Sequence, residues 1–381
     1  MAAYKTFFMN SAKKLFALLL GTITVFCASA GGNSNRISKE GPVIQNVKYV
    51  SAKPRLSKTA AAYIERGIKL VSHGKYDWAI GDFTEAVKLA PDYADVYNER
   101  GLAYGKKGDY DSAIADYNQA IRLNSNHANV YNNRGLAYNG KGDFDSAISD
   151  FNQALKLNPD DAVVYNNRGL AYAGKGDFDG AILEYNQALK LKPNDAVVYN
   201  NRGAAYADKG SYDIAIFEYD QAIKLNPNLA PAYNNRGLAY ADKGSYDRAI
   251  FEYNQAIKLD PDYASAYNNR GLAYEYKSGF EHDRAIADFN RAISLSPNLA
   301  VAYNNRGLAY EYKSDYDRDQ VIADFSQAIK LEPNDAKAYY NRAFAYIRKG
   351  DNSSARADFE RVLQIEPENE VALGALLLLS K

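Results

Sequence analysis

Nine arginines recur at one place in a repeated pattern, and each has an acid at a fixed distance. They are Arg66, Arg100, Arg134, Arg168, Arg202, Arg236, Arg270, Arg306 and Arg342. Sixteen residues on, or eighteen after Arg270 and Arg306, stand Asp82, Asp116, Asp150, Glu184, Glu218, Glu252, Asp288, Asp324 and Asp358. A guanidinium is a planar fork that matches a carboxylate, and a charge on a packing face is costly unless paired. The spacing therefore predicts structural ion pairs, among them Arg134–Asp150, Arg168–Glu184, Arg202–Glu218 and Arg236–Glu252. A ligand role for the arginines is the alternative.

A second row sits one place before the arginine: Asn133, Asn167, Asn201, Asn235, Asn269, Asn305 and Asn341, with Glu65 and Glu99 first in line. Beside it run Asn98, Asn132, Asn166, Asn200, Asn234, Asn268 and Asn304. Asparagine is a middling helix former, so propensity does not explain two side by side. Leu102, Leu136, Leu170, Leu238, Leu272 and Leu308 follow three or four residues on, at the spacing that shares a helix face. A primary amide both donates and accepts, so such a row can hold a peptide backbone whatever its side chains. It can equally bond within or between repeated units.

Other chemistry is sparse. The one cysteine, Cys27, lies near the N-terminus. His73, His127 and His282 are scattered without metal-ligand spacing and read as loop or solvent-side residues. No phosphate loop, nucleophile elbow or paired catalytic carboxylates outside the repeated register are found, and Gly174-Lys175-Gly176 is a helix turn. The formal net charge is zero, with no long basic run, which disfavours a nucleic-acid partner. No cofactor is expected.

These residues are positioned by a repeat. The octapeptide YNNRGLAY starts at Tyr131, Tyr165, Tyr233, Tyr267 and Tyr303, and Tyr165 follows Tyr131 by 34 residues. A fixed period of this size marks stacked units that cannot bury a face alone. Nine units run over 60–93, 94–127, 128–161, 162–195, 196–229, 230–263, 264–299, 300–335 and 336–369; the seventh and eighth have 36 residues. In the third, a first helix runs from about Ala128 to Gly140, Gly142 makes the turn and Asp143 caps the second helix. Phe144, Ala147, Ile148, Phe151 and Leu155 form an apolar face, and Asn158-Pro159-Asp160 stops it.

This pattern resembles the tetratricopeptide repeat family. Tyr131, Gly135, Tyr138, Ala147, Phe151, Ala154 and Pro159 stand where the family has its aromatic, glycine, tyrosine, alanine, aromatic, alanine and proline. Leu70, Ser125, Ala343 and Asn352 depart from it, and arginine replaces the family's common leucine before the glycine. The resemblance implies an all-α, right-handed α-solenoid of stacked antiparallel helix pairs, with first helices lining a concave groove. It also implies a scaffold for proteins or peptides and not a catalyst. The asparagine and leucine rows would then face the groove. They resemble the asparagine ladder in the repeats of the O-linked sugar transferase, which hold extended polypeptide. The lysine and arginine clamp of the chaperone-adaptor branch is missing, its places being mostly Asn, Ala and Val.

The ends differ from the repeats. Lys5, Lys13 and Lys14 precede the apolar run Leu15 to Phe26, and Ala28-Ser29-Ala30 follows. Residues 1–30 thus read as a signal peptide, with Met9 as an alternative start and an uncleaved membrane anchor as the rival. Either reading places the repeats outside the cytoplasm, secreted or periplasmic. Residues 31–59 read as a linker. Residues 370–381 read as a capping helix, whose Leu376 to Leu379 offers a self-association contact. Tyr276 and Tyr312, beside the insertions of the long units, are candidate rim anchors. The expected function is binding of an extended polypeptide or an envelope partner, with a spacer lacking a groove ligand as the alternative.

Overall fold

The computed structural model describes residues 56–277, 281–313 and 317–380. The leader, nearly all of the linker and the tips of both insertions lie outside them. Nineteen α-helices, and no strand, are found among the described residues. The chain divides after Pro227 into two compact bodies.

The first body holds five helix pairs: Lys58–Ser72 with Tyr76–Leu89, Ala94–Lys107 with Tyr110–Leu123, Ala128–Lys141 with Phe144–Leu157, Ala162–Gly174 with Phe178–Leu191, and Ala196–Asp208 with Tyr212–Leu225. The second holds four: Ala230–Asp242 with Tyr246–Leu259, Ala264–Tyr276 with His282–Leu295, Ala300–Tyr312 with Arg318–Leu331, and Ala336–Lys349 with Asn352–Ile365. A last helix, Glu370–Leu379, packs on the ninth unit. Each pair packs together, and each second helix packs on the next unit's first helix within its body. This is an α-solenoid. The first helix begins at Lys58, capped by Ser57, so the unit starts slightly inside the segment read as linker.

Local chemistry fixes the helix ends. Gly142 adopts φ +79°, a left-handed cap that a β-carbon would strain. The Asp143 carboxylate accepts from the Ser146 amide at 3.2 Å and starts the second helix. Phe151 is fully buried, a burial that contributes roughly 1.5–3 kcal/mol. Its ring lies on Gly135, where a β-carbon would sit 2.7 Å from it. Ala147 and Ala154, also fully buried, let the helices close in.

Successive first helices within a body also touch one another, whereas successive second helices stay further apart. First helices therefore lie on the inner side of each body. Asn133, Asn129 four residues before it and Leu136 three after it share that inner side.

Candidate functional site: the inner face of the first helices

The asparagines lie where first helices meet. They are not an open row: Asn133, Asn167, Asn201, Asn235, Asn269 and Asn305 are all buried, and Asn341 is half-buried. Their amides bond across units. Asn133 donates to Asn98 at 3.0 Å, Asn167 to Asn132 at 3.0 Å and Asn201 to Asn166 at 3.0 Å. In the second body Asn269 donates to Asn234 at 3.0 Å, Asn305 to Asn268 at 2.9 Å and Asn341 to Asn304 at 2.8 Å.

Longer contacts of 3.5 Å from Asn132 to Asn133 and 3.3 Å from Asn268 to Asn269 join the rows within a unit. The result is a ribbon of amides. In the first body it runs Asn167, Asn132, Asn133, Asn98 and ends on the Glu99 carboxylate, 3.3 Å from Asn98. The expectation that these amides present themselves to a groove is corrected to this extent. First helices approach closely enough for neighbouring side chains to take up the amides' donated hydrogen bonds, while the buried Asn167 Oδ1 has no partner among the described residues.

Leu136, Leu170, Leu238, Leu272 and Leu308 are half-buried, each packed against a core cluster of its own body. Only part of each is offered inward.

Every arginine meets its acid. Arg134 Nε and Nη2 donate to the two Asp150 oxygens at 2.7 and 2.6 Å, and Arg66, Arg100, Arg270, Arg306 and Arg342 repeat this fork on their aspartates. Arg168 and Arg202 place two nitrogens on one oxygen of Glu184 and Glu218, and Arg236 reaches Glu252 at 2.7 Å. Donating to the Asp150 carboxylate raises the pKa of Arg134, while burial pushes Asp150 above its ordinary range.

The arginine also has a third partner that the sequence reading missed. Its Nη1 donates to the preceding unit's second helix: Arg134 to Asn118 at 2.5 Å, Arg168 to Asn152 at 2.6 Å, Arg202 to Asn186 at 2.6 Å. The guanidinium lies over the tyrosine three residues before it, 5.6 Å from the Tyr131 ring centre for Arg134. Each such arginine thus brackets two units. A second inter-unit row was also missed. Lys107–Asp77, Lys175–Asp145, Lys277–Asp247 and Lys313–Asp283 pair at 2.6 to 2.8 Å, and Lys141–Asp111, Lys209–Asp179 and Lys349–Asp319 pair likewise. A constant spacing of 16 and 30 residues was the available signal.

Other expectations change. His127 is buried and bonded to Asp95 of the preceding first helix, its Nε2 3.2 Å from the carboxylate. His282 lies 2.8 Å from the half-buried Glu275. Tyr276 stacks on Tyr246 with ring centres 5.8 Å apart, so it is packing and not a free rim anchor. Tyr312 stacks on His282 at 6.4 Å and keeps an exposed edge. Burial raises the Glu275 and Glu311 carboxyls, against the pull of His282 and Arg348 respectively. On the second helices, Leu183, Phe217 and Phe251 are exposed where the first three units carry Gly81, Ala115 and Ser149.

Glu99 makes a pH test. Burial raises its pKa, with the Asn98 hydrogen bond opposing. A folded pKa above the unfolded one means the folded state holds its proton longer, so this group favours folding below the unfolded pKa. That contribution is lost as pH rises through the folded pKa. Glu99→Gln, which still accepts from Asn98, is expected to raise the melting temperature at pH 7. The gain should vanish below about pH 4, near the unperturbed glutamate pKa. Equal melting curves for both proteins at pH 7 would contradict it.

Among the described residues, no group of three or more His, Cys, Asp or Glu is placed to hold a metal ion. Profiles described as TPR repeat match residues 67–108, 106–142, 205–244, 238–279, 275–313 and 319–350. Profiles described as tetratricopeptide repeat match 132–196, 336–369 and 184–217. No curated protein matches.

Among solved structures, a tetratricopeptide repeat protein from Parabacteroides merdae is similar at 21% identity and TM-score 0.57, covering 66% of this chain and 99% of that one. Cut9–Hcn1 from an APC/C hetero-tetramer is similar at 17% identity and TM-score 0.58, over 84% and 76%. A human IFIT1 dimer with PPP-AAAA is similar at 16% identity and TM-score 0.53, over 80% and 82%. At these identities the likeness is one of fold.

Proposed function

Since the chain belongs to the tetratricopeptide repeat family, we propose that it is a non-enzymatic interaction scaffold that binds an extended polypeptide along its inner face. One observation carries this. From the third to the fifth unit the inner face carries no charge before its last turn, where Asp208 enters in the fifth: Asn129, Val163 and Val197 are half-exposed, followed by Leu136, Leu170 and Ala204. Such a face suits apolar side chains on an extended chain. It has no row of cations for phosphates, which argues against a nucleic-acid ligand. The closed amide ribbon favours a second reading, a spacer or oligomerisation module without a groove ligand.

The sequence of the leader supports placement outside the cytoplasm, in the periplasm or secreted, with membrane attachment only through an uncleaved N-terminal segment. Among the described residues no helix is long and apolar enough to cross a membrane.

Photocrosslinking separates scaffold from spacer. A benzophenone amino acid at Val163 or Val197 is expected to trap a polypeptide in the native host. The same probe at the outward, polar Gln187 should trap little. A spacer predicts no adduct at the inner positions.

A further inference from the structure

One junction in the second body is built from groups that titrate. In the first six units the second helix opens on Tyr or Phe, and this ring can reach the next unit's first helix. Tyr110 lies against Gly140, Phe144 against Gly174, and Tyr246 stacks on Tyr276. The seventh unit opens its second helix on His282 instead. That ring stacks on Tyr312 of the eighth unit, with planes 21° from parallel. An ionisable ring thus holds a packing place that a neutral aromatic fills elsewhere.

Glu275, at the end of the seventh unit's first helix, stands behind it. Its Oε2 lies 2.8 Å from His282 Nδ1, and its side chain is 12% exposed. Its Oε1 has no hydrogen-bond partner among the described residues. The preceding four units carry Asn139, Ala173, Ala207 and Ala241 at this place, so packing does not require a carboxylate. The eighth unit carries Glu311, which pairs with Arg348. A guanidinium stays charged, whereas imidazole changes its charge between pH 5 and 8. Two equivalent carboxylates therefore have different counter-groups, and one of these titrates. The other charges around the ring are paired: Asp283 with Lys313 of the eighth unit, and Glu281 with Lys277 and Arg284.

We infer that Glu275, His282 and Tyr312 form a proton-operated clamp between the seventh and eighth units, one that tightens on acidification. With the imidazolium, Glu275–His282 is an ion pair and His282–Tyr312 a cation–ring contact. With the neutral ring, Glu275 keeps only a neutral donor, and the stack is an ordinary one. The Glu275 carboxyl works in the same sense. Burial raises it above its ordinary range, against the hydrogen bond from His282. Its contribution to folding is thus present below the unfolded pKa and lost as pH rises through the folded one. Glu275 follows Leu272 by three residues and Tyr312 follows Leu308 by four, so the clamp holds the inner side of both units.

Hydrogen exchange on the full chain at about pH 5 and about pH 8, corrected for intrinsic rates, tests this. Protection of Ala264–Tyr276, His282–Leu295 and Ala300–Tyr312 is expected to be about threefold higher at the acid end, relative to Asn352–Ile365. That is the size of one cation–ring contact. His282→Phe restores the ring of the other units and should keep protection while abolishing the pH difference. Glu275→Gln leaves His282 an acceptor without charge and should remove most of the difference. It decides the matter alone if His282→Phe folds poorly. A wild-type protein without the difference, or one spread evenly over all units, would overturn the inference. So would a difference that survives either replacement in full.

Discussion

Arg134→Ala is expected to lower unfolding stability by roughly 3 kcal/mol, the scale for removing one partner of a buried pair. Asp150, whose side chain is 7% exposed, would lose both guanidinium bonds and be left buried without its counter-charge. Asn118 would lose its donor and Tyr131 the cation over its ring. The damage should spread along the stack, because Arg134 joins the second helices of two units and repeat arrays couple through neighbours. Urea unfolding followed by circular dichroism measures the total. Hydrogen exchange should locate the loss in Ala128–Lys141 and Phe144–Leu157. The double replacement Arg134→Met with Asp150→Leu leaves no charge stranded and should recover most of the stability. A loss below about 0.5 kcal/mol in the single variant, the size of an ordinary surface change, would reject the bracket.

The Arg134–Asp150 pair was legible because the two residues belong to one unit. Their constant spacing and the cost of an unpaired charge on a packing face left little choice of partner. Asn133 and Asn98 lie 35 residues apart in different units. Helical spacing placed them on one face, but how closely successive first helices approach is a property of the stack. That distance decides whether amides meet each other or water. The third partner, Asn118, was recoverable in principle. It stands 16 residues before Arg134, as Asn152 stands before Arg168. The carboxylate ahead already satisfies the arginine's charge, so charge pairing gives no cue to a neutral acceptor behind it. His127 was misread for a related reason. A lone histidine in a turn looks exposed until the preceding first helix brings Asp95 to it. Glu99 stands in the asparagine row by position, and the structure makes it the terminal acceptor of the ribbon.

Asn132→Leu is expected to cost roughly 2 kcal/mol, because it removes a buried amide from the middle of that ribbon. Asn167 would lose its acceptor at 3.0 Å, and the weaker donation to Asn133 at 3.5 Å would go with it. A buried donor without an acceptor costs about 1–3 kcal/mol. Asn341→Ala, at a half-buried position with one donated bond, should cost nearer 1 kcal/mol. Exchange protection in Ala128–Lys141 and Ala162–Gly174 should fall together in the Asn132 variant, since the ribbon ties these first helices to each other. This bears on the search for a ligand. Replacing a ribbon asparagine loosens the inner face whether or not a polypeptide touches it, so lost binding alone does not assign the amide a binding role. Val163→Glu leaves the ribbon intact and adds a charge to the uncharged face, and should abolish crosslinking at Val197 with little change in stability. If Asn132→Leu instead kept full stability and exchange protection while losing the crosslinked polypeptide, the amides would be ligand groups, as the sequence first suggested.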